Sequence, residues 1–167
     1  MTISEQGVSS DRYMLIPRTL IFLTRDEHVL LLKGAPNKRL WANRYNGVGG
    51  HIERGEDVLS AARRETREET GLDPVSLWLC GVITVDTQQT PGICIFIVRG
   101  ECKSGSIIPT HEGIPEWIPI SNIMELPLVE DLYTLLPRVL DMRQGDAPFS
   151  AQTTYDQDGR MLIHFSN

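Results

Sequence analysis

The segment from residue 50 to residue 72 constrains this 167-residue chain more strongly than any other part of it. We expect a helix from about residue 56 to residue 70 within this segment. Gly71 is well placed as a left-handed C-cap, and Pro74 follows shortly afterwards to stop continuation. The segment therefore predicts a loop, a helix and a second loop.

Three carboxylates lie within little more than one turn of this helix, at Glu65, Glu68 and Glu69. Residues three and four apart are neighbours on a helix, so Glu65 faces two like charges. A divalent cation bound between the carboxylates would remove that repulsion. Mg²⁺ prefers oxygen ligands and typically bridges them to substrate phosphates. The spacing therefore predicts a metal–carboxylate site for polyphosphate chemistry.

A plain solvated helix face is the alternative interpretation, because arginines are interleaved with the glutamates. The helical angle favours the metal site. At about 100° per residue, Val58, Ala62 and Thr66 form one stripe. Glu65 and Glu69 fall along the margin of that stripe, where a partly desolvated carboxylate needs a cation partner.

The same segment resembles the Nudix box, the signature of the Nudix hydrolase family. The fixed positions of the box are filled without insertion by Gly50, Glu56, Arg64, Glu65, Glu68, Glu69, Gly71 and Leu72. The one departure is Thr66, where an aliphatic residue is usual. The resemblance implies an α/β fold, namely an α/β/α sandwich with a central mixed β-sheet and the box as loop–helix–loop. It also implies a pyrophosphohydrolase that acts on phosphoanhydride bonds.

The resemblance implies roles for the residues of the box. Glu65, Glu68 and Glu69 would bind Mg²⁺, with Mn²⁺ as the alternative ion, and Glu65 or Glu69 would be the general base. A backbone carbonyl of the Gly49–Gly50 turn would join the metal shell. Glu56 and Arg64 would form an ion pair that orients the loop and the helix of the catalytic box.

Residues outside the box complete the predicted site. The resemblance places a further metal ligand or water-orienting group at Glu112, with Glu116 as a weaker candidate. A solvated loop glutamate is the alternative interpretation of Glu112. Among the basic residues before the box, Lys33 is the first choice to meet phosphates, ahead of Lys38, Arg39 and Arg44.

Two segments bear on the substrate. Tyr45 and Asn46 resemble the base-reading segment of the oxidised-purine triphosphatases, the mutator-type branch, although an asparagine before glycine also suits a simple turn. Glu130 and Asp131 resemble the paired acids that face the purine in that branch. We therefore expect a nucleotide substrate, an oxidised purine triphosphate such as 8-oxo-dGTP, cleaved to monophosphate and pyrophosphate. A hydrolase of ADP-ribose or dinucleoside polyphosphates, or a non-catalytic nucleotide sensor, remains the alternative.

Bulk properties exclude several classes of protein. The net charge of −6 argues against a nucleic-acid polymer as partner, and no apolar run is long enough to span a membrane. Three scattered cysteines and the absence of a signal-peptide pattern predict a cytoplasmic protein with reduced thiols. Both a monomer and a homodimer are compatible with the sequence.

We expect a flexible leader at residues 1–12 and a single domain at residues 13–167. Apolar, β-prone runs predict strands, the last two of which form a C-terminal hairpin, and a second helix is expected before that hairpin. The predicted strands are 14–23, 28–33, 76–86, 93–101, 117–120, 149–155 and 160–165. The second helix is predicted at 130–142, and a long loop at 35–50.

Overall fold

The computed structural model describes residues 7, 9 and 11–166, so positions 1–6, 8 and 10 of the predicted leader lie outside the described residues. The described chain forms one mixed sheet of strand order β3-β2-β1-β5-β4-β7-β8, with β6 paired to β2. The strands are β1 (Leu15–Arg25), β2 (His28–Gly34), β3 (Tyr45–Asn46), β4 (Ser76–Val85), β5 (Gly92–Glu101), β6 (Gly113–Pro119), β7 (Phe149–Tyr155) and β8 (Met161–Phe165).

This sheet combines parallel and antiparallel pairings. Strand β1 runs parallel to β5, and β4 runs parallel to β7. Strand β2 is antiparallel to β1, β3 and β6, while β4 is antiparallel to β5. The helices are α1 (Val58–Thr70), a 3₁₀ helix (Ile120–Glu125) and α2 (Leu132–Asp141).

Side-chain alternation along the strands creates a separate core on each face of the sheet. Helix α1 covers one face, where Ile21, Leu23, Leu30 and Val98 pack with Ala62. Helix α2 covers the other face, where Phe22, Leu31 and Ile97 pack with Leu132 and Leu136. The two helical layers confirm the predicted α/β/α sandwich.

Helix α1 begins two residues later than predicted, because Asp57 rather than Glu56 ends the preceding loop. Asp57 Oδ1 accepts hydrogen bonds from the Leu59 and Ser60 amides at 2.9 and 3.0 Å, which is a standard N-cap. At the other end Gly71 has φ 76° and donates to the Arg67 carbonyl. The predicted left-handed cap is therefore confirmed.

Other boundaries differ from the sequence-based expectation. The predicted loop contains β3, a two-residue strand too short to leave a periodic pattern. Strand β6 begins at Gly113, before the expected start at residue 117. Pro115 obscured that extension, since proline argues against a strand except at an edge, and here β6 pairs with β2 alone among the described strands.

The three cysteines, Cys80, Cys94 and Cys102, are all free thiols, as predicted. Among the helices of residues 11–166, none is long and apolar enough to cross a membrane.

Candidate active site

Two adjoining cavities form a cleft beside the N-terminal half of β1. They have volumes of about 110 and about 130 Å³ and share Arg18, Trp41, Asn46 and Gly49 as walls. The larger cavity is also bordered by Glu69, and the smaller by Asp131. The cleft therefore connects the carboxylate-bearing helix with the start of α2.

Glu69 projects from α1 into the larger cavity and is only 9% exposed. Its Oε2 accepts a hydrogen bond from the Gly49 amide at 3.0 Å. Burial, together with repulsion from the nearby Glu65 and Glu112 carboxylates, raises the pKa of Glu69 to about 7. The Gly49 amide and Lys38 act in the opposite direction. Glu69 is thus a carboxyl group that exchanges its proton near neutral pH.

The Gly49–Gly50 turn touches the carboxylates so closely that side chains are excluded. A Cβ on Gly50 would lie 2.4 Å from Glu65 Oε1, and a Cβ on Gly49 would lie 2.1 Å from the Thr19 carbonyl oxygen. Gly49 also has φ 154°, which favours glycine. The Gly50 carbonyl accepts a hydrogen bond from the Thr19 amide at 2.8 Å. The turn therefore presents backbone, rather than side chains, to Glu65 and Glu69.

Arg64 connects the carboxylates of the loop and the helix. Its Nε and Nη2 donate to Glu56 at 2.7 and 3.0 Å, and Nη2 also donates to the His51 carbonyl at 2.9 Å. Its Nη1 donates to Glu65 at 2.8 Å and to Glu68 at 3.0 Å. The Glu56 carboxylate raises the pKa of Arg64 above its ordinary value. The expected Glu56–Arg64 ion pair is present, and Arg64 also pairs with Glu65 and Glu68.

Glu112 borders the larger cavity together with Glu69. It forms an ion pair with Lys38 and a second contact with His111 Nε2 at 3.2 Å. The Lys38 ammonium lowers the pKa of the Glu112 carboxyl. A glutamate from a distant loop therefore does reach the cleft.

The carboxylates do not form a ready-made chelating cluster. Within residues 11–166 no group of three His, Cys, Asp or Glu side chains is arranged to hold a metal ion. Arg64 lies between Glu65 and Glu68, Lys38 holds Glu112, and the side chain of Glu68 is 59% exposed. Arg64 and Lys38 account for the separation of the carboxylates, because these two basic side chains hold them in ion pairs.

Tyr45 is placed differently from the predicted substrate contact. It is 6% exposed and belongs to the core that packs against α2. Its hydroxyl donates to Glu116 Oε2 at 2.8 Å, and burial and this contact raise the pKa of Tyr45 to about 12. Neither Tyr45 nor Glu116 borders the cleft. The structure therefore places neither side chain in the cleft, because β3 pairs with β2 and buries the Tyr45 ring, and Glu116 accepts the hydrogen bond from its hydroxyl.

Asn46, the neighbour of Tyr45, borders both cavities. Its Oδ1 accepts a hydrogen bond from the Gly47 amide at 2.8 Å, which is the turn-type contact also considered from the sequence. The side-chain amide is left to face the cleft as a donor. Asn46 therefore serves the turn and borders the cavity at the same time.

The two acids at the start of α2 separate. Asp131 borders the smaller cavity, and burial followed by repulsion from Glu130 raises its pKa. Among the described residues, Asp131 Oδ1 and Thr19 Oγ1 are buried without a hydrogen-bond partner, and both residues border this cavity. Glu130 is exposed and borders a neighbouring groove that shares Trp41 and Val129 with the smaller cavity, so the two acids border different concave surfaces.

Lys33 is also placed away from the cleft, which corrects the first choice for phosphate binding. Its ammonium lies 5.6 Å from the centre of the Tyr45 ring. Leu32 borders the larger cavity, and alternation along β2 turns the next side chain to the opposite face. Lys38 borders the cavity instead.

Sequence reasoning missed two residues that border both cavities, Arg18 and Trp41. Arg18 is a lone charge inside the otherwise apolar run of β1, and Trp41 is an aromatic residue in a polar loop. Each residue is an exception to its local sequence pattern, and such exceptions are the sequence signal that could have indicated a functional residue.

Comparison with known proteins identifies relatives of this chain. A model of the NUDIX domain matches residues 14–139. The oxidized purine nucleoside triphosphate hydrolase of Mus musculus is 28% identical over 141 residues, covering 84% of this chain and 87% of that protein. The NAD-capped RNA hydrolase NudC of Stutzerimonas stutzeri (strain A1501) is 30% identical over 115 residues, covering 68% of this chain and 40% of that protein.

The same fold occurs in a solved structure of similar size. The crystal structure of the Mutator MutT protein from Bacillus halodurans matches with a TM-score of 0.76 at 23% identity. The match covers 90% of this chain and 97% of that protein.

Proposed function

Because this chain belongs to the Nudix family and is a pyrophosphohydrolase, we propose that it hydrolyses an oxidised purine nucleoside triphosphate such as 8-oxo-dGTP. The products would be the nucleoside monophosphate and pyrophosphate. One observation carries the proposal: a single cleft is bordered by Glu69 and Glu112 at one end and by Asp131 at the other, with Asn46 bordering both of its cavities. The printed activity of the mouse relative supports the choice of substrate.

The carboxylate end suits the phosphates and their metal ion. Glu65, Glu69 and Glu112 supply only oxygen ligands, which fits Mg²⁺, or Mn²⁺ as the alternative. Glu68 is the further candidate ligand, and the Gly49–Gly50 turn brings backbone beside Glu65 and Glu69. When bound, the ion neutralises phosphate charge and polarises the phosphoanhydride.

The chain's own residues then position the reaction. Glu69 has a pKa of about 7, which is suited to accepting a proton from water near neutral pH. Glu65 is the alternative base. Arg64 holds Glu65 through one guanidinium nitrogen while anchoring the loop through Glu56, so it acts as a positioning residue. Lys38, in the same cavity, is the candidate partner for phosphate oxygens.

The other end suits the edge of a purine. Burial raises the pKa of Asp131, which favours the neutral carboxyl group over the carboxylate, and a neutral carboxyl group offers a hydrogen-bond donor as well as acceptors. Thr19 Oγ1 and Asp131 Oδ1 are buried and have no hydrogen-bond partner among the described residues. Because buried polar atoms are usually hydrogen-bonded, these two atoms suit a ligand that brings partners to them. The edge of a purine base, which carries both donors and acceptors, has that property.

Hydrolysis of ADP-ribose or dinucleoside polyphosphates and nucleotide sensing without turnover are the competing functions. A cytoplasmic location is part of the proposal, since the three thiols are free. The box glutamates are all present, which favours turnover over sensing.

The test is a substrate panel assayed with Mg²⁺ and after chelation by EDTA. It includes normal and oxidised purine triphosphates, ADP-ribose and a dinucleoside tetraphosphate. We expect Mg²⁺-dependent pyrophosphate release to be fastest with an oxidised purine triphosphate and to be lost in Glu69→Gln. Glu125→Gln, at an exposed position outside the cleft, is the matched control and should retain activity. Absence of Mg²⁺-dependent product from every substrate would refute the hydrolase.

A further inference from the structure

Trp41 is held in an unusual backbone conformation. Its φ is 60°, in the left-handed region that non-glycine residues rarely adopt. The Arg44 amide donates to the Trp41 carbonyl at 3.0 Å, and the Gly34 amide donates to the Arg44 carbonyl at 3.0 Å. Gly34 lies so close that a Cβ there would be 2.6 Å from the Trp41 carbonyl oxygen. Strained residues of this kind persist where the surrounding structure holds them, and they cluster at ligand sites.

The position of Trp41 beside the cleft offers a reason for its strained backbone conformation. Trp41 borders both cavities of the cleft, and among the described residues that border them it is the only aromatic one. It nevertheless remains 45% exposed, so its ring is not held in place by the core. A packing role alone would bury more of so large an apolar side chain.

Apart from Trp41, the residues that border the smaller cavity carry no aromatic ring, although the planar Arg18 guanidinium also borders it. Asn46 and Asp131 offer polar atoms, which suit the edge of a base, and the apolar walls are the aliphatic side chains of Leu20, Ile95 and Val129. A purine has flat faces as well as a polar edge. Stacking of bases on aromatic side chains is a common source of affinity that does not depend on the identity of the base.

We propose that Trp41 is the stacking platform for the nucleobase, while Asn46 and Asp131 distinguish its edge. This inference rests on the proposed function in one respect, namely that the ligand is a purine nucleotide. It divides the recognition between two groups. Trp41 supplies affinity for any purine, and the edge contacts supply the preference for one purine over another.

Trp41 also borders a larger groove of about 710 Å³, together with Tyr133, Tyr155 and Met161 from α2 and the C-terminal hairpin. Neither Glu69 nor Glu112 borders this groove, whereas Leu40, Arg44 and Val129 border both the groove and the cleft. Trp41 therefore contacts two adjoining concave surfaces, and of the two only the cleft is bordered by these two carboxylates.

The first measurement is tryptophan fluorescence, which does not depend on turnover. The chain contains three tryptophans, and Trp78 and Trp117 lie outside the cleft beside Arg99 and Arg25. The probe is a purine triphosphate with a non-hydrolysable α,β-methylene bridge, added with Mg²⁺. We expect it to quench the emission of the wild type and of the matched control Trp78→Phe, but not that of Trp41→Leu. Inorganic tripolyphosphate, which lacks a base, should not quench.

The second measurement is the kinetics of the variants. We expect Trp41→Leu to raise KM by roughly 10- to 100-fold with kcat nearly unchanged, for oxidised and normal purines alike. Trp41→Phe keeps a ring and should recover most of the loss, which a purely structural role would not require. Thermal unfolding of each variant confirms that the fold is intact.

The outcomes separate the two proposals. An unchanged KM in folded Trp41→Leu, or quenching that persists in this variant, refutes the proposal that Trp41 stacks on the base. Neither result affects the proposed hydrolase activity. Quenching equally strong with tripolyphosphate also overturns the platform. Base-dependent quenching at Trp41 without hydrolysis of any substrate supports the platform and overturns the hydrolase.

Discussion

Replacing Glu69 by glutamine is expected to stabilise the metal-free protein at alkaline pH while abolishing hydrolysis. The carboxyl group is 9% exposed, and burial together with Glu65 and Glu112 raises its pKa from 4.5 to about 7. A raised pKa means that the folded state binds this proton more tightly than the unfolded state does. The stabilisation is complete below about pH 4.5 and is lost as the pH rises through about 7.

The size of the effect follows from the same two values. One pKa unit corresponds to about 1.4 kcal/mol, so ionising Glu69 costs the folded state about 3 kcal/mol at about pH 8. At about pH 5 the cost is below about 1 kcal/mol, because the folded state keeps its proton. Glutamine has the same shape, carries no charge and can still accept the hydrogen bond from the Gly49 amide.

Urea unfolding in EDTA at about pH 5 and about pH 8 measures this difference. Glu69→Gln should be about 3 kcal/mol more stable than the wild type at the higher pH and similar to it at the lower pH. Glu68→Gln is the matched control. The Glu68 side chain is 59% exposed, so this substitution should not reproduce the stabilisation expected of Glu69→Gln at about pH 8. Equal stability of wild type and Glu69→Gln at both pH values would refute the reasoning.

Three further changes test other parts of the site. Gly50→Ala should lower kcat by roughly 100-fold, because its Cβ would lie 2.4 Å from Glu65 Oε1 and displace that carboxylate; steady-state kinetics with a thermal unfolding control measures this. Tyr45→Phe should cost about 1 kcal/mol in urea unfolding with KM unchanged, since its hydroxyl contacts Glu116 outside the cleft. Asp131→Asn should be more stable than the wild type at about pH 8, since burial raises the pKa of Asp131 and ionisation therefore destabilises the fold, and it should change the ranking of purine substrates. The exposed Glu130→Gln removes only the repulsion, so it should stabilise less and leave the ranking unchanged; an altered ranking in Glu130→Gln would contradict the separation of the two acids.

The loop–helix–loop segment was readable from the sequence because its constraints are local. A left-handed cap at Gly71, a helix interrupted by no proline and an apolar stripe are properties of consecutive residues. The sandwich followed from the resemblance, and the two cores on opposite faces confirm it. The resemblance also pointed to the distant Glu112, which does border the cleft.

The residues that were misplaced depend on contacts between distant parts of the chain. Tyr45 is buried because β3 adds to β2, and no short-range pattern announces a two-residue strand. Lys33 points away from the cleft because β2 alternates, and the phase of that alternation is fixed only by its pairing with β6. Trp41 becomes part of the site because Gly34 and Arg44 fold the loop back upon it.

The helix glutamates repel one another, and a divalent cation is one remedy for that repulsion. The metal-free chain already relieves it by other means. Arg64 bridges Glu65 and Glu68, and burial keeps a proton on Glu69 up to a pH of about 7. A cation that binds at Glu69 therefore exchanges with a proton instead of entering an unrelieved negative site. Its affinity must rise with pH through the neutral range, which couples metal loading to the same group that accepts the proton.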